Sequence, residues 1–433
     1  MATAPADTSL WRHRPFVLLC GEQIASSLGR QITALALALL AVTGLGAGPF
    51  GAAAVLALTY LPGAVLSPLA GVLVDRVRLR NLLVTVTAAQ ALVVGSIPLA
   101  DAAGHLTRGH LYVVAVVSGA LTFTLSVALQ GALPRVVPSG RLLGANSALT
   151  AARTSGQIGG PALGGVLVGL VGPARALLAG GAAYVVEALL VLALPAALNI
   201  RRKQGARSPL DALRSGLAVV RGQPRLRRMV LSGAGLNLGS GAATALYVFY
   251  ATRELALSAW QLGATYAVYS AATVAGALLA GRFARTTGLW RATQVCGLVA
   301  GAAAFLIPAA SFGPAFALLL AYQVTYGLSG TVWMISMTTT QQQATSEDLQ
   351  GRVAGLVQSV LLTTVPVGAL GGGALAAWLG NVPVLLGSAA VALVSAATLW
   401  APVSGAAESL TPPRHPQAPA APHVPGRPPQ ERS

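Results

Sequence analysis

Charged side chains are scarce in this chain, and their scarcity excludes most soluble folds. Asp, Glu, Lys and Arg together make up 9% of the 433 residues, whereas they make up about a quarter of a typical soluble protein. Hydrophobic residues account for 55% of the sequence, and the mean hydropathy is +0.69. This composition predicts an integral membrane protein.

Cysteine and histidine are also rare, which argues against an enzyme. The two cysteines, Cys20 and Cys296, both lie in apolar runs, so the sequence has neither a disulfide framework nor a metal-ligand cluster. Four of the five histidines lie outside the long apolar runs and the fifth, His110, lies at the end of one, and there is no phosphate-binding Gly-Lys pattern or serine-nucleophile elbow. We therefore expect a protein that is not an enzyme and that holds no metal and no cofactor.

Long apolar stretches recur along the chain, and each can span about 30 Å as a helix. The alternating ten-residue segments of a transmembrane barrel are absent from the sequence. We therefore predict an all-α integral membrane protein with twelve transmembrane helices. The predicted spans are 16–43, 49–74, 80–100, 109–132, 142–171, 174–197, 228–251, 259–282, 289–310, 313–338, 351–379 and 382–402.

The distribution of arginine predicts how these spans are oriented. All but five of the 28 basic residues fall on the side of the membrane that carries the chain termini. The positive-inside rule then places both termini in the cytoplasm. The high net charge is explained by topology, so we expect no nucleic-acid partner. A single lysine, Lys203, against abundant Arg, Ala and Gly favours a bacterial cytoplasmic (inner) membrane.

An internal repeat predicts two six-helix bundles related by pseudo-two-fold symmetry. Gly140-Arg141-Leu-Leu-Gly144 matches Gly351-Arg352-Val-Ala-Gly355, and the same offset of 211 residues pairs Gly160 with Gly371 and Gly169 with Gly380. Between the bundles, Ser208-Pro209 and the apolar positions that follow predict a short amphipathic helix on the membrane surface. The predicted domains are a leader at 1–15, bundles at 16–197 and 228–402, a cytoplasmic linker at 198–227 and a disordered Pro-rich tail at 403–433.

A charged segment between the second and third spans carries a recognisable signature. Gly71, Asp75, Arg76 and Arg80 resemble the motif at this position in the major facilitator superfamily. An acid there can accept hydrogen bonds from a neighbouring helix N-terminus or an arginine, and such contacts can latch one conformation. We expect Asp75 and Arg76 to act in this gating motif, whereas Arg78 either joins it or only fixes topology.

A second signature lies in the fifth span. Its key residues, Gly156, Gly160, Pro161, Gly164 and Gly165, fit a pattern that resembles the antiporter motif of exporters in the same superfamily. Proline bends the helix, and the glycines leave a thin face for close packing against a partner helix. Ordinary glycine and proline content of a membrane helix is the alternative explanation. The resemblance implies a major facilitator fold and antiport.

Other segments resemble the branch that contains the enterobactin exporter and macrolide-efflux proteins. They are Gln23 to Gly29 in the first span, Ala145 to Ala148 opening the fifth, and Gly351 to Val353 entering the eleventh. This resemblance implies efflux of a hydrophobic or amphipathic small molecule, such as a drug, a siderophore or a secondary metabolite, with multidrug resistance as one possible outcome. It does not choose among these cargoes.

Four ionisable residues lie within the spans, where each costs about 2.5 to 3.5 kcal/mol at the membrane centre. They are Glu22, Arg30, Arg153 and Glu187. Arg153 and Glu187 lie at similar depths in consecutive spans, so we predict that they face each other as a buried ion pair. Glu22 is a candidate proton-coupling residue, or it reaches the interface. Glu187 either carries protons or forms a static pair with Arg153.

Candidate cargo contacts are polar and aromatic residues on three spans. Ser26 lies one turn from Glu22 and from Arg30 on the first span, and Asn237 lies on the seventh. Tyr322, Gln323 and Tyr326 on the tenth span give an aromatic face with hydrogen-bonding tips, which suits a flat amphipathic ligand. Tyr250, near a span end, fits an interfacial anchor better.

Three functions remain open from the sequence. The favoured one is a proton-coupled exporter, a monomer in the lipid bilayer that works by alternating access around a midplane site. The first alternative is an importer or uniporter of the same fold. The second is a membrane receptor or scaffold that does not transport.

Overall fold

The structure is a computed structural model that describes residues 12–66, 79–130, 137, 142–195, 209–345 and 347–401. In the first half of the chain, six long helices follow one another. They are α1 (Arg14–Leu39), α2 (Pro49–Leu66), α3 (Leu79–Ala102), α4 (Arg108–Gln130), α5 (Leu142–Val171) and α6 (Pro173–Leu192). A shorter helix, α7 (Pro209–Gly222), lies where the sequence predicts an amphipathic helix, and it packs against a helix of the second half.

Six further long helices form the second half. They are α8 (Pro224–Phe249), α9 (Ala259–Thr287), α10 (Leu289–Ala303), α11 (Ala315–Gln343), α12 (Glu347–Leu379) and α13 (Asn381–Ala397). A short helix at Leu306–Ala309 follows α10. All twelve long helices overlap the predicted spans, and the predicted all-helical membrane fold is confirmed.

Local sequence explains where several helices begin. Proline occupies the first turn of α1, α6 and α8, where its missing N–H leaves no bond unmade. Ser258 caps α9 and shares a capping box with Gln261. Gly172 and Gly380 precede α6 and α13 with φ of 85° and 83°, a left-handed conformation that favours glycine.

Length and composition allow ten of the described helices to cross a membrane. The two long helices outside this set are α5 and α8, which hold polar residues such as Arg153 and Asn237 and pack against helices of both halves. A helix that packs on both halves has a narrower face in contact with lipid and needs less apolar surface. Large exposed apolar side chains such as Leu170, Leu278 and Trp378 fit a surface in contact with lipid.

The two halves repeat the same packing. In the first half α1 packs against α5 and α6, and α3 packs against α4 and α6. In the second half α8 packs against α12 and α13, and α10 packs against α11 and α13. This agreement is the pseudo-two-fold relation that the sequence predicts.

Glycine contacts fix which residues of the two halves correspond. Gly160 of α5 approaches the Leu28 carbonyl of α1, and Gly368 of α12 approaches the Leu238 carbonyl of α8. Residues of α1 and α8 therefore correspond at an offset of 210, and residues of α5 and α12 at an offset of 208. The predicted pairs Gly160–Gly371 and Gly169–Gly380 were wrong, because loop lengths differ between the halves and one offset does not hold along the chain.

Among the described residues, close contacts between the halves lie at one end of the molecule. We call the end at which α1, α5, α8 and α12 finish the distal end, and the opposite end the proximal end. A Cβ atom at Gly165 of α5 would lie 2.8 Å from the Cα atom of Gly263 on α9. Arg253 Nη2, just after α8, donates a 2.6 Å hydrogen bond to the carbonyl of Val42, just after α1. Close packing therefore joins the halves at the distal end.

Candidate functional site: adjoining cavities between the two halves

The described residues line at least three cavities. The first-half cavity, of about 450 Å³, is bordered mainly by α1, α2 and α4. The tyrosine cavity, of about 320 Å³, is bordered mainly by α8, α9 and α11. The proximal cavity, of about 460 Å³, lies between α11 and α12. Because Leu56, Tyr60, Thr244 and Tyr266 line both the first-half and tyrosine cavities, these two adjoin.

Four predicted cargo residues line one cavity. Asn237, Tyr322, Gln323 and Tyr326 all border the tyrosine cavity, although they come from two helices that are distant in sequence. Their role in cargo binding stays a prediction. Ser26, the fifth candidate, is instead fully buried on α1 beside the ionisable residues.

Tyr247 of the seventh span also lines this cavity. Sequence reasoning missed three further tyrosines there, namely Tyr60, Tyr266 and Tyr269. Two of them, Tyr266 and Tyr269, are three residues apart, so one face of α9 carries both rings. This spacing is a signal of the same kind as the four-residue spacing of Tyr322 and Tyr326. The position of Tyr60 could not be inferred from a pattern, because it faces the cavity from the other half.

The rings of the tyrosine cavity are arranged in two ways. Tyr322 and Tyr326 are stacked with ring centroids 5.4 Å apart, and Tyr269 stacks on Tyr326 at 6.3 Å. Tyr247 meets Tyr266 edge to face at 5.6 Å. The stacked rings form one wall and the edge-on pair forms another. Such a lining suits a flat, apolar ligand with some hydrogen-bonding capacity.

A second cluster of polar residues is buried between α1 and α6. Glu22 and Glu187 are both 0% exposed, and Glu187 lies within interaction range of Glu22, Arg30 and Ser26. Arg30 donates hydrogen bonds to the hydroxyls of Ser26 at 3.4 Å and Ser27 at 3.1 Å. The structure thus brings together three of the four ionisable residues that the sequence singles out.

The predicted pair of Arg153 with Glu187 was wrong. Arg153 is exposed on α5, whereas Glu187 is buried on α6 and faces α1. Depth along a helix follows from residue counting, but the direction in which a side chain points depends on the helix's rotation. Because α6 packs mainly against α1 and α3, its buried carboxyl meets the polar face of α1.

Charge counting shows that this cluster is unbalanced when both acids are ionised. Two carboxyls share one nearby guanidinium, that of Arg30. Glu22 Oε2 accepts a 2.9 Å hydrogen bond from Gln23, but neither oxygen of Glu187 has a hydrogen bond of ordinary geometry among the described residues. An uncompensated buried carboxylate is costly, so a bound proton would balance the cluster.

The charged cluster borders the first-half cavity. Arg30 lines this cavity, as do Thr33 and Gln90, which are each 4% exposed, and Ser118, which is 5% exposed. Thr33 Oγ1, Gln90 Oε1 and Ser118 Oγ form no hydrogen bond of ordinary geometry with a described residue, although the Tyr184 hydroxyl is near Thr33 and Gln90. Buried polar atoms are normally hydrogen-bonded. These atoms can therefore bond to a polar guest, and Arg30 lies between that guest and the two acids.

The glycine-proline motif of α5 forms contacts within and between the halves. A Cβ atom at Gly156 would meet Ile24 O and Ser27 Cβ of α1, and Gly160 and Gly164 also face α1. Gly165 packs instead on α9, where the Pro161 carbonyl would lie 2.7 Å from a Cβ atom at Gly263. The motif thus connects the helix that carries Glu22 and Arg30 to the other half.

The predicted gating motif is only partly visible. Gly71, Asp75 and Arg76 lie outside the described residues. Arg80 donates hydrogen bonds from Nε to the Leu194 carbonyl at 2.9 Å and from Nη2 to the Leu192 carbonyl at 2.5 Å. It thereby satisfies carbonyls at the C-terminus of α6, the helix that carries Glu187.

Tyr250 does not act as an exposed interfacial anchor. It is fully buried, and its hydroxyl lies 2.5 Å from Ser311 Oγ. This bond ties the end of α8 to the segment after α10. The expectation for Tyr250 was wrong because the helix end is covered by neighbouring protein.

Comparison with known sequences identifies relatives over most of the chain. The sequence profile of the Major Facilitator Superfamily matches residues 21–364. YfiS of Bacillus subtilis (strain 168), an uncharacterized MFS-type transporter, is 26% identical over 374 residues, which cover 84% of this chain and 87% of YfiS. Another uncharacterized MFS-type transporter, y4rN of Sinorhizobium fredii (strain NBRC 101917 / NGR234), is 30% identical over 316 residues, covering 71% and 76%.

Solved structures share the fold at low sequence identity. A mutant of the nucleoside transporter NupG matches with a TM-score of 0.70 at 17% identity, covering 91% of this chain and 99% of that protein. A bacterial homologue of the iron transporter ferroportin, in its inward-facing state, matches with a TM-score of 0.69 at 16% identity and the same coverage. These similarities concern the fold alone.

Proposed function

The chain belongs to the Major Facilitator Superfamily, as a multi-pass membrane transport protein and not an enzyme, and from this premise we propose a direction and an energy source. We propose that it exports a hydrophobic or amphipathic small molecule in exchange for protons. The observation that carries the proposal is the cluster of Glu22, Glu187 and Arg30 at the border of the first-half cavity.

The charge imbalance of this cluster supports proton coupling. With both acids ionised, the cluster carries one uncompensated negative charge, and binding one proton removes it. A group that gains a proton on one side of the membrane and releases it on the other can drive transport, since one charge crossing is worth about 2.3 kcal/mol per 100 mV. Arg30 lines the cavity and interacts electrostatically with both acids, so cargo there can alter the cluster's protonation.

The packing of the halves supports alternating access. The distal contacts at Gly165 and Gly263 and from Arg253 to Val42 hold one end together. Rocking of the halves would separate these contacts and close the proximal end. In this proposal the α5 motif transmits the movement to α1. Gly71, Asp75, Arg76 and Arg80 form the proximal gating motif.

The orientation in the membrane is also part of the proposal. The excess of arginine on the terminal side supports a cytoplasmic proximal end in a bacterial inner membrane. In that orientation the distal contacts separate the cavities from the cell exterior. We propose a monomer, because each chain contains both halves of the transport unit.

An importer is the competing function. NupG is a nucleoside transporter and the ferroportin homologue is related to an iron transporter, so the shared fold is compatible with several cargoes and directions. The described lining of the tyrosine cavity holds no carboxylate for a metal ion. A receptor that does not transport would bind ligand without flux.

Transport by the whole protein separates these functions. An efflux-deficient bacterial host expressing the chain should tolerate more of at least one compound from a panel of antibiotics and aromatic dyes. An uncoupler and the Glu187→Gln variant should each abolish that tolerance. Net uptake into intact cells that persists with an uncoupler would contradict proton-coupled export and support a uniporter.

A further inference from the structure

Six of the nine tyrosines in the chain line the tyrosine cavity. Five of them, Tyr247, Tyr266, Tyr269, Tyr322 and Tyr326, come from three helices of the second half. The sixth, Tyr60, reaches the cavity from α2 of the first half. A cavity of about 320 Å³ is within the usual size range of ligand sites. The cavity is therefore large enough for a ring system, and its lining is mainly aromatic.

The polar groups in this lining are all neutral at physiological pH. Besides the tyrosine hydroxyls they are the amides of Asn237 and Gln323 and the hydroxyls of Ser240 and Thr244. Among the described residues that line the cavity, none is Asp, Glu, Lys, Arg or His. A charged group placed here would lose its hydration without meeting a counter-ion, which is strongly unfavourable.

One hydroxyl of the lining is buried and has spare hydrogen-bonding capacity. Tyr247 is 2% exposed, and its Oη forms no hydrogen bond of ordinary geometry with a described residue, although Thr265 and Gln323 are near. Buried polar atoms without partners are uncommon in proteins. An uncharged donor or acceptor on a bound ring would satisfy this hydroxyl.

We propose that the tyrosine cavity binds an uncharged, planar aromatic part of the cargo, with the ring against the stacked wall of Tyr269, Tyr322 and Tyr326. Tyr247 and the neighbouring amides bond to an uncharged polar group on that ring. The inference rests on the proposed function only in treating this cavity as a cargo site. It adds a substrate class, since it restricts the cargo to molecules with a neutral flat moiety.

An organic cation is the main competing occupant, because tyrosine faces attract cations. Each such contact is worth about 0.5 to 2 kcal/mol, whereas desolvation of an unpaired charge costs considerably more. The three rings of the stacked wall also cover part of one another's faces, because Tyr326 stacks on both Tyr269 and Tyr322. The absence of a carboxylate from the described lining therefore favours a neutral ring.

Equilibrium binding to the purified full-length protein tests this inference. The probes are acridone, which is neutral, and 10-methylacridinium, a permanent cation with the same three-ring skeleton. Fluorescence polarisation should give acridone a dissociation constant at least tenfold lower, a factor that corresponds to about 1.4 kcal/mol. Equal or tighter binding of the cation, or no acridone binding, would overturn the proposal.

Variants locate the bound ring. Tyr326→Leu should weaken acridone binding about tenfold, whereas Tyr326→Phe keeps the ring and should change it less than about threefold. Tyr112→Leu is the matched control, because Tyr112 lines none of the three cavities. Unchanged binding by Tyr326→Leu, in a protein with a normal melting temperature, would overturn the proposed position. These constants require no flux, so a failure of proton-driven export would leave them unaffected.

Discussion

The two halves of the molecule share a backbone arrangement but differ in the chemistry that they place at its centre. In α1 and α6 of the first half, Glu22, Arg30 and Glu187 form a buried charged cluster. At the corresponding positions of α8 and α13 the second half has three serines, Ser232, Ser240 and Ser395. The charge cluster is therefore a property of one half and not of the repeated architecture.

The aromatic lining shows the opposite distribution. Helix α9 of the second half corresponds to α2 of the first, because Gly327 approaches the Tyr269 carbonyl as Gly119 approaches the Thr59 carbonyl. Tyr269 therefore corresponds to Thr59, and Tyr266 corresponds to Leu56. By the same correspondence, Tyr322 and Tyr326 of α11 replace Val114 and Ser118 of α4. In the proposed function, the first half handles protons and the second half binds a ring.

The largest expected effect on transport comes from giving the second half the side chains of the first. The double variant Tyr322→Val with Tyr326→Ser removes two stacked rings and should lower acridone transport about a hundredfold, if each ring contributes about 1.4 kcal/mol to binding. The loss should appear in proton-driven transport and in exchange alike. Exchange at the wild-type rate would contradict the assigned difference between the halves, because the tyrosines of the second half would then be dispensable for binding.

Arg30 tests whether the first-half cluster depends on charge balance. Arg30→Ser leaves two buried carboxyls without their cation, and we expect a loss of about 3 to 5 kcal/mol in stability at neutral pH. Adding Glu22→Ser and Glu187→Ser makes the cluster resemble that of the second half and should restore most of the melting temperature.

Melting temperatures of the Arg30→Ser variant and of wild type, measured at the same series of falling pH values, distinguish a loss of charge balance from a loss of packing. Acid supplies protons to the unpaired carboxyls, so the Arg30→Ser protein should regain stability relative to wild type as the pH falls. A melting-temperature deficit that stays the same at every pH would mean that Arg30 acts through packing alone.

Alanine substitutions at equivalent glycines test how tightly each half is packed. Gly368→Ala places a methyl group against the backbone carbonyl of Leu238, and we expect a loss of about 1 to 3 kcal/mol. Gly160→Ala places its methyl group 2.6 Å from the Gln31 Cβ atom and 3.5 Å from the Leu28 carbonyl oxygen, a milder overlap than the closer approach to the Leu238 carbonyl oxygen at Gly368. Thermal unfolding should show a smaller loss at Gly160, and the reverse order would contradict the assigned contacts.

Two arginines of the first half give the smallest effects. Arg80→Ala removes two hydrogen bonds to the end of α6 and should cost about 1 to 2 kcal/mol. Arg153→Ala alters an exposed residue and should change stability by less than about 0.5 kcal/mol. Melting temperatures of both variants are measured in the same detergent. A larger decrease for Arg153→Ala than for Arg80→Ala would support an ion pair between Arg153 and Glu187.

The sequence was sufficient for features that depend on local pattern. Apolar run length predicts the twelve long helices, and the glycine spacing of α5 predicts a thin face, which the structure places against α1 and α9. The spacing of Tyr322 and Tyr326 also places both on one face. Each feature follows from residues a few positions apart on a single helix.

Features that depend on how helices are rotated against one another were not accessible. Arg153 and Glu187 have matching depths, but depth gives no information about direction. The partnership of Glu187 with Glu22 and Arg30 requires knowing that α6 packs on α1. The same limitation concealed the meeting of Tyr60 with tyrosines of the second half.

The central claim, that the first half couples protons while the second half binds cargo, is tested most directly by one variant in two transport modes. Glu187→Ser gives the first half the second half's residue, and its acridone transport in reconstituted vesicles is measured as exchange and as proton-driven accumulation. We predict that exchange persists while accumulation driven by a pH gradient is lost. Accumulation equal to that of wild type, or equal loss of both modes in a stably folded protein, would contradict the claim.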